Sequence, residues 1–178
     1  MWSIAAFAVC ATVVGRVYAL DPAPKPAKEL IDAAESTAAK LHKPIFVLFE
    51  QSKCAWCKRL DVLVNRPELK KTIDANYVLL RLDVLEGGDA IKLHENAGGS
   101  EFMAKLGGGK EIPFFAWVDA RGKLIANSIA MPGGANLGYP ASPQQIDVFV
   151  GLIKKTAPHC SAADLKTMRD YLIANPPK

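Results

Sequence analysis

The chain has 178 residues, half of them apolar and 22% charged, with a formal net charge of +4. That suffices for one buried core and calls for no second domain. Lys and Arg are scattered through helix-like segments and form no stripe with interleaved aromatics, which excludes a nucleic-acid partner.

In chain order, "WSIAAFAVCATVVG" (2–15) is an apolar run free of acids, and Val17-Tyr18-Ala19 offers a signal-peptidase cut. A signal peptide over 1–19 is therefore expected, placing the protein in the periplasm or outside the cell. The alternative is an uncleaved anchor, because Trp2–Leu20 approaches the ~17 to 25 residues of a bilayer-spanning helix; a membrane is a partner only in that case. A Pro-rich linker occupies 20–26. Downstream of the cut remain Cys54, Cys57 and Cys160. An odd count outside the cytoplasm leaves at least one thiol free or shared with another molecule.

Leu30, Ile31, Ala34, Ala38 and Leu41 recur at helical spacing, so 27–42 reads as an amphipathic helix ended by Pro44. "IFVLFE" (45–50) is a strand covered on both faces. From Cys54 to Val64 the apolar positions return to helical spacing, and Pro67 marks a break before a further helical turn or two. "YVLLRLDV" (77–84) is a second strand, and two strands joined through helix make a parallel βαβ unit. Residues 86–111 read as Gly-rich and irregular, with one helical piece near Phe102–Leu106. "IPFFAWVD" and "KLIANSIA" flank "ARG" as an antiparallel hairpin. "MPGGANLGYPAS" (131–142) is a loop; Ser142, Pro143 and Gln145 then carry the N-cap, first-turn proline and capping-box signals of a helix. Ser161 and Asp164 open a last helix with Leu165, Met168 and Leu172 inward.

The order of these parts, a strand, "CAWC" opening a helix, a strand, then "IP" starting a hairpin and a closing helix, resembles the thioredoxin superfamily. It is nearest to exported thioredoxin-like proteins with a C-x-W-C-K motif, over about residues 27–156. The resemblance implies an α/β thioredoxin-like fold: a mixed four-stranded central sheet flanked by helices, with residues 157–178 as an extra C-terminal helical extension. It also implies a cis peptide bond at Pro113, beside the dithiol, with Ile112 backbone groups free to pair with an extended peptide. There are departures. The family's opening edge strand has no candidate, the dipeptide between the cysteines is Ala55-Trp56, and the buried aspartate found six positions before the first cysteine is matched by Leu48. The nearby acid on that strand is Glu50.

Disulfide exchange needs an attacking thiolate and a second thiol that resolves the mixed disulfide. Cys54 at a helix start faces unpaired N–H groups and the positive end of the dipole, while Cys57 lies one turn inside. Cys54 is thus the expected attacker and Cys57 the resolver, with Glu50 the candidate proton acceptor and Trp56, Ile112 and Pro113 the candidate partner contacts. Zinc at the cysteine pair would need further ligands, and His42, His94 and His159 are dispersed; neither metal nor cofactor is expected. "GGGK" (107–110) lacks the Ser/Thr of a phosphate loop. The expected function is an exported thiol-disulfide oxidoreductase acting on cysteine-containing proteins together with a redox partner protein. The competing reading is a thioredoxin-fold chaperone or assembly factor gripping its partner with the loops at 86–111 and 131–142; a weaker third is a metal carrier.

Overall fold

The computed structural model describes residues 23–177. The signal peptide expected at 1–19 and the start of the linker lie outside the described residues.

The chain opens with α1 (Ala27–Leu41), closed by His42 in the left-handed conformation and by Pro44. Strand β1 (Ile45–Glu50) follows, then α2 (Ala55–Val64) and α3 (Pro67–Asn76). Strand β2 (Val78–Asp83) pairs parallel with β1, in register from Ile45 opposite Val78 to Glu50 opposite Asp83. After α4 (Ala90–His94) and α5 (Gly99–Lys105), β3 (Phe114–Val118) runs antiparallel to β1 and turns into β4 (Leu124–Asn127). The sheet order is β2-β1-β3-β4. Helices α6 (Pro143–Thr156) and α7 (Ala162–Ala174) end the fold, each opened by a capping box at Ser142 and Ser161. This is a thioredoxin-like architecture with an extra C-terminal helix.

Alternation along the central strands builds two cores. Phe46 and Leu48 of β1, with Phe115 and Trp117 of β3, face α2, α3, α6 and α7. Ile45, Val47 and Phe49, with Phe114, Ala116 and Val118, face α1 and α5. Both strands are buried on both sides, which is why they read as unbroken apolar runs rather than as alternation. The Phe46 and Trp117 rings stack at 4.6 Å, and burial of a side chain such as Phe46 contributes about 2–3 kcal/mol.

The structure corrects the reading of 86–111 as irregular with one helical piece. There are two short helices there, and α5 starts at Gly99. Gly98 takes φ +86 to launch α5, and a Cβ on Gly99 would lie 2.8 Å from Val84 Cγ1, so these glycines serve a turn and a close helix–strand approach. Helix α3 is also longer than the turn or two expected after Pro67, because Leu69, Thr72, Ile73 and Asn76 give it a buried stripe.

Candidate functional site

Cys54 is the N-cap of α2 and Cys57 its third residue, and the two are joined in a disulfide with Cα atoms 5.2 Å apart. The Cys57 N–H donates to Cys54 Sγ at 3.0 Å, so a cysteine sulfur occupies the place of a serine or aspartate cap. Cys54 is half-buried, whereas Cys57 is 2% exposed and packs into the core with Leu60 and Leu63. The turn that delivers Cys54 is tied down from β2's far end. The Ser52 N–H and hydroxyl donate to the Glu86 carboxylate at 2.5 and 2.8 Å, the Glu86 N–H donates to Glu95 at 2.9 Å, and the Gln51 amide donates to the Leu85 carbonyl. Glu86 is buried, and these donors satisfy it.

Strand period places Glu50 on the same face as Leu48 and Phe46, toward α2. Glu50 and Cys57 line one cleft with Ser52, Asp61, Arg81 and Asp83. Burial pushes the Glu50 carboxyl up to about 7; Asp83, its cross-strand partner, and Asp61 add to the rise, and Arg81 opposes it. Arg81 is held elsewhere, with its guanidinium on the Asp61 carboxylate at 2.5 to 2.6 Å. Burial also raises Asp83, helped by Glu86. Leu48 is 1% exposed, so the strand centre carries no proton acceptor.

Trp56, Ile112 and Pro113 line a second depression together with Gly138 and Tyr139. The Ile112–Pro113 peptide bond is cis. Trp56 is 46% exposed, its ring 5.7 Å from that of Tyr139 and beneath the Arg59 guanidinium at 4.9 Å. The 131–142 loop is fixed here by a relay: Asn136 donates to the Pro113 carbonyl at 3.0 Å and accepts from the Ser128 hydroxyl at 2.7 Å, and that hydroxyl accepts from the Phe115 N–H at 3.1 Å. Ser128, Asn136 and Tyr139 escape a sequence reading because only the fold brings them beside Pro113. The polar "Asn-Ser" ending an otherwise apolar strand segment was the one available signal.

Cys160 is not part of this constellation. It is the free cysteine of the described residues, its thiol raised by burial and then by Asp164, at the α6–α7 junction where the His159 N–H donates to Asn76. His42, His94 and His159 are all exposed, and the described residues contain no group of three or more side chains arranged to hold a metal. None of the described helices is long and apolar enough to cross a membrane.

A family model described as thioredoxin-like matches residues 27–120. Among solved structures, a disulphide isomerase from Xylella fastidiosa Temecula1 aligns at 17% identity and TM-score 0.47, covering 83% of this chain and 89% of that one. An oxidoreductase named DsbH aligns at 19% and 0.46, covering 80% and 83%. A thioredoxin-fold protein from Helicobacter pylori aligns at 20% and 0.40, covering 74% and 83%. A comparison with curated proteins found no match.

Proposed function

The chain belongs to the thioredoxin-like family, and from that premise we propose that it is a thiol-disulfide oxidoreductase that leaves the cytoplasm and exchanges disulfides with cysteine-containing proteins. The observation that carries this reading is the arrangement at the head of α2: a half-buried Cys54 sulfur capping the helix and receiving the Cys57 N–H, bonded to a buried Cys57. In the reduced protein the same N–H and the helix end favour the Cys54 thiolate. Lowering a thiol from about 8.5 to about 7 takes roughly 2 kcal/mol. The helix end at ~0.3 to 1 kcal/mol, a charge-assisted N–H···S bond and the nearby Lys53 and Lys58 supply contributions of that order.

The chemistry is a two-electron exchange. A Cys54 thiolate attacks a substrate disulfide, forming a mixed disulfide and releasing one substrate thiolate. Cys57 then gives up its proton and attacks the Cys54 sulfur; the internal disulfide closes, the second substrate thiolate leaves, and the substrate has gained two electrons. Run backwards, the same bonds oxidise a dithiol substrate. Glu50, near 7 in the cleft it shares with Cys57, is matched to accept and return that proton around neutral pH. Trp56, Ile112 and Pro113 form the surface against which the substrate chain lies beside Cys54. The acid-free run at 2–15 supports export.

Turbidity from insulin reduced by dithiothreitol tests the reading. The protein should speed precipitation several-fold and Cys54→Ser should remove the effect. No acceleration by the unaltered protein would leave a thioredoxin-fold binding module instead.

A further inference from the structure

A groove that shares Lys58 and Val62 with the dithiol cleft runs between the outer face of α2 and the C-terminal helix. Lys58, Arg59 and Val62 of α2 form one wall, with Arg66 at the head of α3; Tyr171 of α7 stands opposite, and Tyr139 of the 131–142 loop closes the end nearest Trp56. The spacing of 59 and 62 puts these residues on one side of α2, and Arg66, in extended backbone at the head of α3, lines the same groove. Three cations line the groove and no Asp or Glu does. Two of the cations lie over aromatic rings, Arg59 over Trp56 at 4.9 Å and Arg66 over Tyr171 at 6.0 Å. Stacking engages the flat face of a guanidinium and holds its charge in place at the groove wall. Burial and then Tyr171 raise the Tyr139 hydroxyl, and Arg59 and Arg66 oppose the rise.

Tyr139 also lines the Trp56–Ile112–Pro113 depression, which makes the groove an extension of the surface beside the disulfide. With a rise of ~1.5 Å per helical residue, Arg59 lies ~7 Å and Val62 ~12 Å along α2 from Cys54, and Arg66 follows beyond the helix end at Val64. An extended polypeptide advancing ~3.3 Å per residue reaches the stretch from Arg59 to Val62 in about two to four residues.

We propose that this groove is a specificity site for the substrate polypeptide, binding an acidic stretch about two to four residues from the reacting cysteine. Carboxylates of the substrate meet Lys58, Arg59 and Arg66, and the tyrosines and Val62 take the side chains between. The inference rests on the dithiol exchange proposed above and names the class of substrate it selects. Positive charge concentrated in a groove with apolar walls speeds capture of acidic partners and disfavours basic ones.

The test uses the oxidised full chain and single-cysteine peptides that differ only in carrying Asp or Asn three and four residues either side of the cysteine. A peptide thiolate attacks Cys54, the internal S–S bond breaks, Cys57 leaves as thiolate, and one mixed disulfide forms per thiolate consumed; acid-quenched mass spectrometry counts it against time. At low ionic strength the Asp peptide should react about tenfold faster than the Asn peptide. That ratio should collapse toward one in 1 M salt and, within the Arg66→Glu variant, fall to one or below. Equal rates for the two peptides in the unaltered protein, or a ratio indifferent to salt, would overturn the groove. Dithiothreitol, which has no carboxylate, serves as the reference: if it opens the disulfide while the peptides fail to differ, the dithiol reading stands and the groove falls. If neither dithiothreitol nor any peptide opens it, the dithiol reading fails and takes the groove with it.

Discussion

Glu50 shows how a shift of two residues along one strand face changes which group can move a proton. Leu48 and Glu50 share a face of β1, and the strand end, two residues nearer the dithiol, is where a carboxylate meets both burial and water. Its folded value of about 7 stands above the ordinary 4.5, so the folded state binds the proton more tightly than the unfolded one. Below 4.5 both states are protonated and no cost arises. From 4.5 to 7 stability falls as pH rises, and above 7 the penalty is constant. Glu50→Gln removes it: discounted for solvent screening, the variant should gain about 1 kcal/mol on the unaltered protein at pH 8 and nothing at pH 4. Urea unfolding at the two pH values checks this, and an equal difference at both would contradict it. At this scale the sequence was informative where chemistry is local, as with "CAWC", Glu50 and Ile112-Pro113. It was silent on Ser128, Asn136, Tyr139 and Tyr171. The Asn136 amide reaches the Pro113 carbonyl across 23 residues, and no periodicity announces such a contact.

Among the elements, those with strong periodicity or caps were legible to within a residue or two: α1, β1, α2, and the starts of α6 and α7 with their capping boxes; the hairpin was found, with its second strand ending three residues earlier than expected, at Asn127. The misread segment was 86–111, where helices of five and seven residues are too short to show a periodic face and are launched by glycines that resemble loop signals. In α7 the sequence places Met168 and Leu172 inward, and both are buried, in the same cluster as Leu69, Ile73 and Phe149; only these packing partners were not legible. Leu172→Ala should therefore cost about 2–5 kcal/mol in denaturant unfolding, the range for a large-to-small core change. A cost under 0.5 kcal/mol would mean that α7 is a detachable extension.

Across the whole molecule, the parallel β1–β2 pair sends both strands toward one end of the sheet, where Glu50, Asp83 and the dithiol collect. The opposite end holds Tyr77 and Asn76, and Cys160 lies there, its neighbour His159 bonded to Asn76. Six residues of β1 span ~17 Å between the two ends, which sets Cys160 apart from the dithiol. Cys54 lies on a surface with an aromatic depression on one side and a basic groove beyond it. The measurement that bears most directly on this account is mixed-disulfide trapping, by non-reducing electrophoresis of extracts of cells that produce the chain in a Cys160→Ser background. Cys57→Ser should accumulate partner proteins linked through Cys54, and Cys54→Ser should accumulate few. Equal trapping by the two variants would contradict the assignment of Cys54 as attacker and Cys57 as resolver.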